Sequence, residues 1–204
     1  MTDRIRLLQA LRLKGRVTAE DVAPAAGLNP DAATSVLADL AAAGLVESVR
    51  DRRKLTADGR AELDALLAEE RKGVDQAAIT AAYHEFDEHN RAFKELVTRW
   101  QLRDDTTPND HTDPAYDAVV IAELAALHAR FRPVLDRFVA LAPRLGHYPQ
   151  RFAAALERIE AGEHSWFARP LVDSYHTVWF ELHEDLIGLA GLSRTAEAAA
   201  GRAS

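Results

Sequence analysis

Residues 17–60 read VTAEDVAPAAGLNPDAATSVLADLAAAGLVESVRDRRKLTADGR. Thr18 is placed to cap one helix, and Gly27 is placed to end it in a left-handed conformation. Asn29 and Pro30 then supply the N-cap and the first-turn proline of a second helix. The stretch therefore predicts two short helices joined by a tight turn, followed by a basic segment.

A short hairpin is predicted after the second helix. Residues 45–49 form its first strand, residues 50–53 its tip and residues 54–56 the returning strand. A further amphipathic helix over about residues 3–14 precedes the stretch. Helix, turn, helix and hairpin in this order are the layout of a winged helix-turn-helix, a unit that usually holds DNA. We assign residues 1–73 to this domain.

The hairpin also resembles the wing of MarR-like regulators, which carry Asp-x-Arg followed by Leu-Thr-x-x-Gly. In this sequence the pattern is met by Asp51, Arg53, Leu55, Thr56 and Gly59. The resemblance covers about residues 3–72. It implies a transcriptional regulator that binds double-stranded DNA, and for such a regulator we expect a homodimer.

The candidate DNA-contacting residues lie at the start of the second helix of the pair and in the hairpin. They are Asn29, Asp31, Thr34, Ser35, Arg50, Arg52, Arg53 and Lys54. The helix would offer polar groups to base edges, and the hairpin would grip the phosphate backbone. However, that helix has no Lys or Arg, and the hairpin is shorter than in MarR-like proteins. An alternative therefore stays open, in which the winged helix docks on a partner protein or a metabolic enzyme.

Composition and charge restrict the class of protein. The chain has 204 residues, a net charge of −7 and no cysteine, which excludes a disulfide framework. Residues 1–74 carry 12 Lys/Arg and 12 Asp/Glu, whereas residues 75–204 carry 13 and 20. No apolar run is long enough for a membrane span. We expect a soluble cytoplasmic protein that does not contact a membrane.

Residues 74–204 are predicted to form an antiparallel helical bundle, which makes the whole chain mainly α. The helices are expected over about residues 74–103, 114–142, 148–161 and 170–190. Pro133 should kink or break the second of them. The small, polar tail from residue 193 should fray.

Several histidines fall on the apolar sides of these helices. On the last helix, a spacing of ~100° per residue places His176 and His183 beside Trp179. The same spacing predicts a solvent-facing side formed by Ser174, Thr177, Glu181 and Asp185. The inward-facing set that could bind a ligand comprises His89, Phe93, Trp100, His176, Trp179 and His183.

Three interpretations of the inward histidines remain open. They could form a satisfied polar core, a pocket for a small-molecule effector, or a metal site. No nucleophile–base–orienter arrangement is evident, so we expect neither an enzyme nor a cofactor. The segments WQLRDD, NDHTDPAYDA and DSYHTVWFELHEDL are also similar to helical regions that accompany phosphoenolpyruvate- or pyruvate-binding enzymes in actinobacteria. That similarity implies a stand-alone version of a regulatory appendage.

Overall fold

The computed structural model describes residues 2–104, 106–170 and 172–199. The chain is mainly helical, with an N-terminal winged helix followed by a helical bundle, which confirms the predicted fold class. It divides into two compact units. The N-terminal unit comprises Met1–Val74 and Arg144–His147, and the C-terminal unit comprises Asp75–Pro143 and Tyr148–Ser204.

Within residues 2–74, the N-terminal unit contains four α-helices and one hairpin. They are α1 (Thr2–Lys14), α2 (Ala19–Ala25), α3 (Pro30–Ala42), β1 (Val46–Val49), β2 (Arg52–Leu55) and α4 (Ala57–Lys72). The predicted caps are present: the backbone N–H of Asp21 donates to Thr18 Oγ1 at 3.1 Å, and that of Ala32 to Asn29 Oδ1 at 2.8 Å. Gly27 has a φ of 65°, which lets the chain turn sharply between α2 and α3. The apolar sides of α1, α2 and α3 meet in one aliphatic core.

The hairpin formed by β1 and β2, called the wing below, is tighter than predicted. Val49 pairs with Arg52, so only Arg50 and Asp51 form the tip, whereas the sequence predicted a tip over residues 50–53. Arg53 is held in the ladder because its backbone also pairs with Val17, at N–O distances of 3.1 and 2.7 Å. The return strand therefore begins two residues earlier than predicted and ends one residue earlier, at Leu55.

The C-terminal unit contains the remaining helices. They are α5 (Gln76–Gln101), α6 (Pro114–Leu141), α7 (Tyr148–Glu160), α8 (Tyr175–Leu189) and α9 (Arg194–Ala199). A short 3₁₀ helix, His164–Trp166, lies between α7 and α8. The last long helix begins at Tyr175 rather than near residue 170, because Ser174 caps it through the backbone N–H of Thr177. The predicted fraying of the tail concerns α9 and residues 200–204, and the latter lie outside the described residues.

α6 continues through Pro133 as one helix, so of the predicted kink or break, the break does not occur. Pro133 itself is exposed, while Phe131 and Val134 on either side of it are buried. Burial of these flanking apolar side chains offsets the hydrogen bond that a proline removes from a helix.

An aromatic cluster forms the core of the C-terminal unit around Trp179. The indole of Trp179 lies 4.4 Å from the ring of Phe93, 4.7 Å from Phe131 and 5.5 Å from Phe86, measured between centroids. Its Nε1–H donates to Asn90 Oδ1 at 3.0 Å, so the polar end of the indole is satisfied within the core. This cluster fixes α8 against α5 and α6.

The predicted solvent-facing side of α8 is buried, and that prediction is wrong. Ser174, Glu181 and Asp185 are 0%, 3% and 2% exposed, and Thr177 is half-buried. The side chains of α7 supply the hydrogen bonds that water would otherwise provide. Tyr148 donates its hydroxyl to Asp185 Oδ2 at 2.6 Å, and Arg151 donates to Glu181 Oε2 at 2.6 Å. α8 is therefore a central helix with a polar buried side.

Among the helices that the structure describes, none combines the length and the apolar character required to cross a membrane.

Candidate functional site

The first turns of α3 present polar side chains to solvent. Asp31, Thr34 and Ser35 are all exposed, as expected for residues that could contact a partner molecule. Asn29 is exposed too, but its side-chain oxygen is engaged in capping α3. Asp39 lies further along the helix and is also exposed. α3 therefore presents two carboxylates and no cation, together with small hydroxyl side chains.

The four cationic side chains predicted for the wing differ in their surroundings. Arg50 and Arg52 are exposed, and Arg52 Nη1 donates to the carbonyl oxygen of Arg16 at 3.3 Å. Arg53 and Lys54 are half-buried. Arg53 donates to Ser48 Oγ at 2.7 Å, and Lys54 Nζ lies 2.7 Å from Glu47.

Lys54 is therefore committed within the wing. Its hydrogen bond and its charge lower the pKa of Glu47. The opposite charges of Lys54 and Glu47 largely cancel each other's field at longer distances. Arg50 and Arg52 are left as the two wing cations whose side chains extend into solvent.

A cavity of about 300 Å³, called the α5/α8 pocket below, lies between those two helices. It is lined by four of the six predicted ligand-binding residues, namely Phe93, His176, Trp179 and His183. Lys94, Thr98, Gln101 and Glu184 contribute polar groups to its wall. An aromatic floor with a few convergent polar groups is the usual composition of a small-molecule site.

The two histidines of the α5/α8 pocket are neutral near pH 7. Burial lowers the pKa of His183 to about 4, and burial also lowers the pKa of His176. The Tyr83 hydroxyl donates to Glu197 Oε2 at 2.8 Å, so toward His183 Nε2, 3.1 Å away, its oxygen accepts. The hydrogen of the neutral ring is then on Nε2, which leaves Nδ1 as an acceptor.

The other two predicted ligand-binding residues lie elsewhere. His89 packs against Phe131 with 5.8 Å between ring centroids, and burial lowers its pKa. Trp100 borders a second cavity of about 400 Å³, called the Trp100 cavity below, with His111 and His164. The single inward-facing set predicted from the sequence is therefore divided among three places.

The sequence analysis missed a polar network beside Trp100. Asp117, only 2% exposed, accepts hydrogen bonds from Asn109 Nδ2 at 2.9 Å and from His111 Nδ1 at 3.0 Å. A signal was available in the spacing, since Asp117 falls on the same side of α6 as the buried Val120 and Leu124. A carboxylate on a buried stripe requires a hydrogen-bonding partner, and here the loop before α6 supplies it.

The described parts of the chain contain no group of three or more His, Asp or Glu side chains arranged to hold a metal ion. Comparison of the chain with protein-family models, with curated proteins and with solved structures finds no match.

Proposed function

We propose that the protein is a DNA-binding transcriptional regulator of the MarR-like type that acts as a homodimer. The observation that carries the proposal is the winged helix itself. Its second helix of the pair, α3, exposes Thr34 and Ser35 in its first turns, and its wing exposes Arg50 and Arg52. A helix with exposed polar side chains and a basic hairpin in one small domain are the two parts that such domains place on a duplex.

In this proposal, α3 enters the major groove and the wing contacts the phosphate backbone. Thr34 and Ser35 can donate to or accept from base edges, and Asp31 can accept from the amino group of cytosine. Two exposed wing arginines per protomer give four phosphate contacts in a dimer. At about 0.9 per contact, the wings contribute about 3 to 4 to the slope of log affinity against log salt.

The α5/α8 pocket gives this regulator a place for a small-molecule effector. A ligand that binds one state of the dimer more tightly than another changes the affinity of the dimer for DNA. DNA binding changes the affinity for the ligand by the same factor. Phe93, Trp179 and the neutral His183 supply the aromatic and hydrogen-bonding contacts for such a ligand.

The decisive experiment measures binding of the purified full chain to the intergenic DNA upstream of its own gene, by fluorescence anisotropy at two salt concentrations. A random duplex of equal length is the reference. The test variant is Arg50→Gln with Arg52→Gln, and the control is Arg60→Gln, an exposed cation on α4.

We expect the upstream duplex to bind more tightly than the random one, with a weaker affinity and a flatter salt dependence in the double variant only. Equal affinity for both duplexes would contradict the regulator proposal. Sequence-dependent binding that the double variant leaves unchanged would contradict the role of the wing alone.

A second candidate function is a docking module, and the charge of α3 favours it. α3 carries Asp31 and Asp39 and no cation, so its surface repels phosphate and suits a basic protein surface. If the DNA experiment shows no sequence preference, a pull-down with the full chain is the next test. A partner retained by the native chain and lost with Asp31→Lys would support docking through α3.

A further inference from the structure

Next to Trp100, the carboxylate of Asp117 holds the imidazole of His111 in one orientation. Asp117 is buried on α6, and its two oxygens accept separately, Oδ1 from Asn109 and Oδ2 from His111 Nδ1. Asn109 is fixed in turn, because its Nδ2 also donates to the carbonyl oxygen of Trp100 at 3.1 Å. An acceptor at Oδ2 requires a hydrogen on His111 Nδ1, and in the tautomer with its hydrogen at Nδ1 the other nitrogen, Nε2, is a hydrogen-bond acceptor.

The backbone of His111 is held in an uncommon conformation to achieve this. Its φ is 58°, in the left-handed region that non-glycine residues adopt rarely. The ring lies 4.4 Å from the indole of Trp100, between centroids. Within residues 2–104, 106–170 and 172–199, Nε2 of His111 makes no hydrogen bond. Strain combined with an oriented, unused nitrogen is typical of a functional site.

This nitrogen belongs to a residue that borders the Trp100 cavity. Around the cavity stand the side chains of Trp100, Gln101, His111, His164, Ser165 and Arg169. None of the described residues that line it is acidic, although the chain has a net charge of −7. As far as the structure describes the chain, Arg169 has no ion-pair partner. The cavity therefore offers one guanidinium and one oriented acceptor to the same ligand.

From these observations we infer that the Trp100 cavity binds a small anion that also carries a hydroxyl group. The anionic group, a carboxylate or a phosphate, pairs with Arg169. The hydroxyl donates to Nε2 of His111, whose orientation is fixed by Asp117. This site differs from the α5/α8 pocket, although Gln101 borders both cavities, and its occupancy does not depend on whether the protein binds DNA.

The test uses matched pairs of ligands that differ in one hydroxyl group. Isothermal titration calorimetry of the full chain compares citrate with tricarballylate, malate with succinate, and propane-1,2-diol 1-phosphate with propyl phosphate. We expect at least one hydroxylated member to bind about tenfold more tightly than its partner, the size of one well-placed hydrogen bond. The carboxylate and phosphate arms identify the anionic group. Absence of binding by all six probes at about 10 mM, a concentration roughly a hundredfold above ordinary metabolite affinities, would overturn the inference.

Three variants assign the interaction to its residues. Arg169→Gln should abolish binding of both members of a pair, whereas Arg132→Gln, an exposed arginine paired with Asp136, should leave it unchanged. Asp117→Asn lets an amide donate to His111 Nδ1, which moves the ring hydrogen to Nε2, so the preference for the hydroxyl should disappear while anion binding persists. His111→Asn keeps a residue that tolerates a positive φ and should also remove the preference. A hydroxyl preference that survives in both would overturn the role of His111, and circular dichroism confirms that each variant is folded.

Discussion

Arg151 on α7 and Glu181 on α8 form a buried ion pair, with Nη2 and Oε2 2.6 Å apart. The same guanidinium also holds Asp173, with Nε and Oδ2 2.8 Å apart. One cation thus pairs with two carboxylates, Glu181 on α8 and Asp173 just before that helix. Removal of Arg151 would take the guanidinium away from the buried carboxylate of Glu181.

We therefore predict that Arg151→Met lowers the free energy of unfolding by about 3 to 5 kcal/mol, the typical loss when one partner of a buried pair is removed. All three tryptophans, including Trp179 on α8, lie in the C-terminal unit, so their fluorescence in urea reports the effect directly. Arg158→Met is the control, because its pair with Glu163 is half exposed and should contribute less than about 1 kcal/mol. Equal losses in the two variants would contradict the importance of the buried pair.

The buried histidine of the α5/α8 pocket predicts a loss of stability in acid. Burial lowers the pKa of His183 to about 4 in the folded protein, below the ordinary value of 6.5 that applies when the chain is unfolded. Between these values the unfolded chain binds a proton that the folded chain does not. Stability is therefore fully present above about pH 6.5 and falls as the pH drops toward 4, by up to about 1.4 kcal/mol per pH unit.

Urea unfolding at a series of pH values measures this slope. In His183→Gln the slope between pH 6.5 and 4 should be smaller, because a glutamine can still hydrogen-bond Tyr83 but does not titrate. His84→Gln on the exposed side of α5 should keep the slope of the original protein. Parallel curves for all three proteins would show that His183 does not cause the acid sensitivity.

At the start of α4, the backbone around Gly59 leaves no room for the methyl group of an alanine. A Cβ built on Gly59 would lie 2.0 Å from the carbonyl oxygen of Leu45, which is backbone and cannot move aside cheaply. We predict that Gly59→Ala destabilises the N-terminal unit by about 3 kcal/mol. At Gly73, where the nearest atom is 3.5 Å away, alanine should be nearly neutral. Hydrogen exchange of residues 45–60 measures the difference, and similar protection in the two variants would contradict the close approach.

Local signals in the sequence were sufficient for the N-terminal unit. Thr18, Gly27 and Asn29 each fix a helix end through their own backbone neighbours, so their effects can be read without knowledge of distant residues. The tip of the wing was less predictable, because its length depends on the pairing of Arg53 with Val17, thirty-six positions away in the chain.

In the helical unit, the periodicity of the sequence did not predict which sides of the helices are buried. A spacing of ~100° tells which residues of α8 share a side, but not whether that side meets water or another helix. The periodicity predicted that Glu181 and Asp185 face solvent. Their burial depends on hydrogen bonds from α7, donated by Arg151 and Tyr148. Likewise, His111 lies in a loop and is oriented by contacts with Asn109 and Asp117, so no helical pattern could have indicated it.

The wing gives a prediction in which stability and DNA affinity change in opposite directions. Arg50 has a φ of 62° at the first position of a two-residue hairpin tip, where glycine is preferred. Arg50→Gly relieves a left-handed strain of about 1 kcal/mol, so the N-terminal unit should become as stable as before or more stable. Arg50→Ala removes the same charge but keeps the strain, so it should not stabilise the unit.

Under the proposed function, both variants lose one phosphate contact per protomer. The slope of log affinity against log salt should therefore fall by about 2 for a dimer in each variant. Thermal unfolding followed by circular dichroism and anisotropy titrations at several salt concentrations give the two readouts separately. An arginine that is retained because it contacts DNA would explain why the strained position, which favours glycine, is not occupied by glycine. This explanation fails if both variants keep the original salt slope.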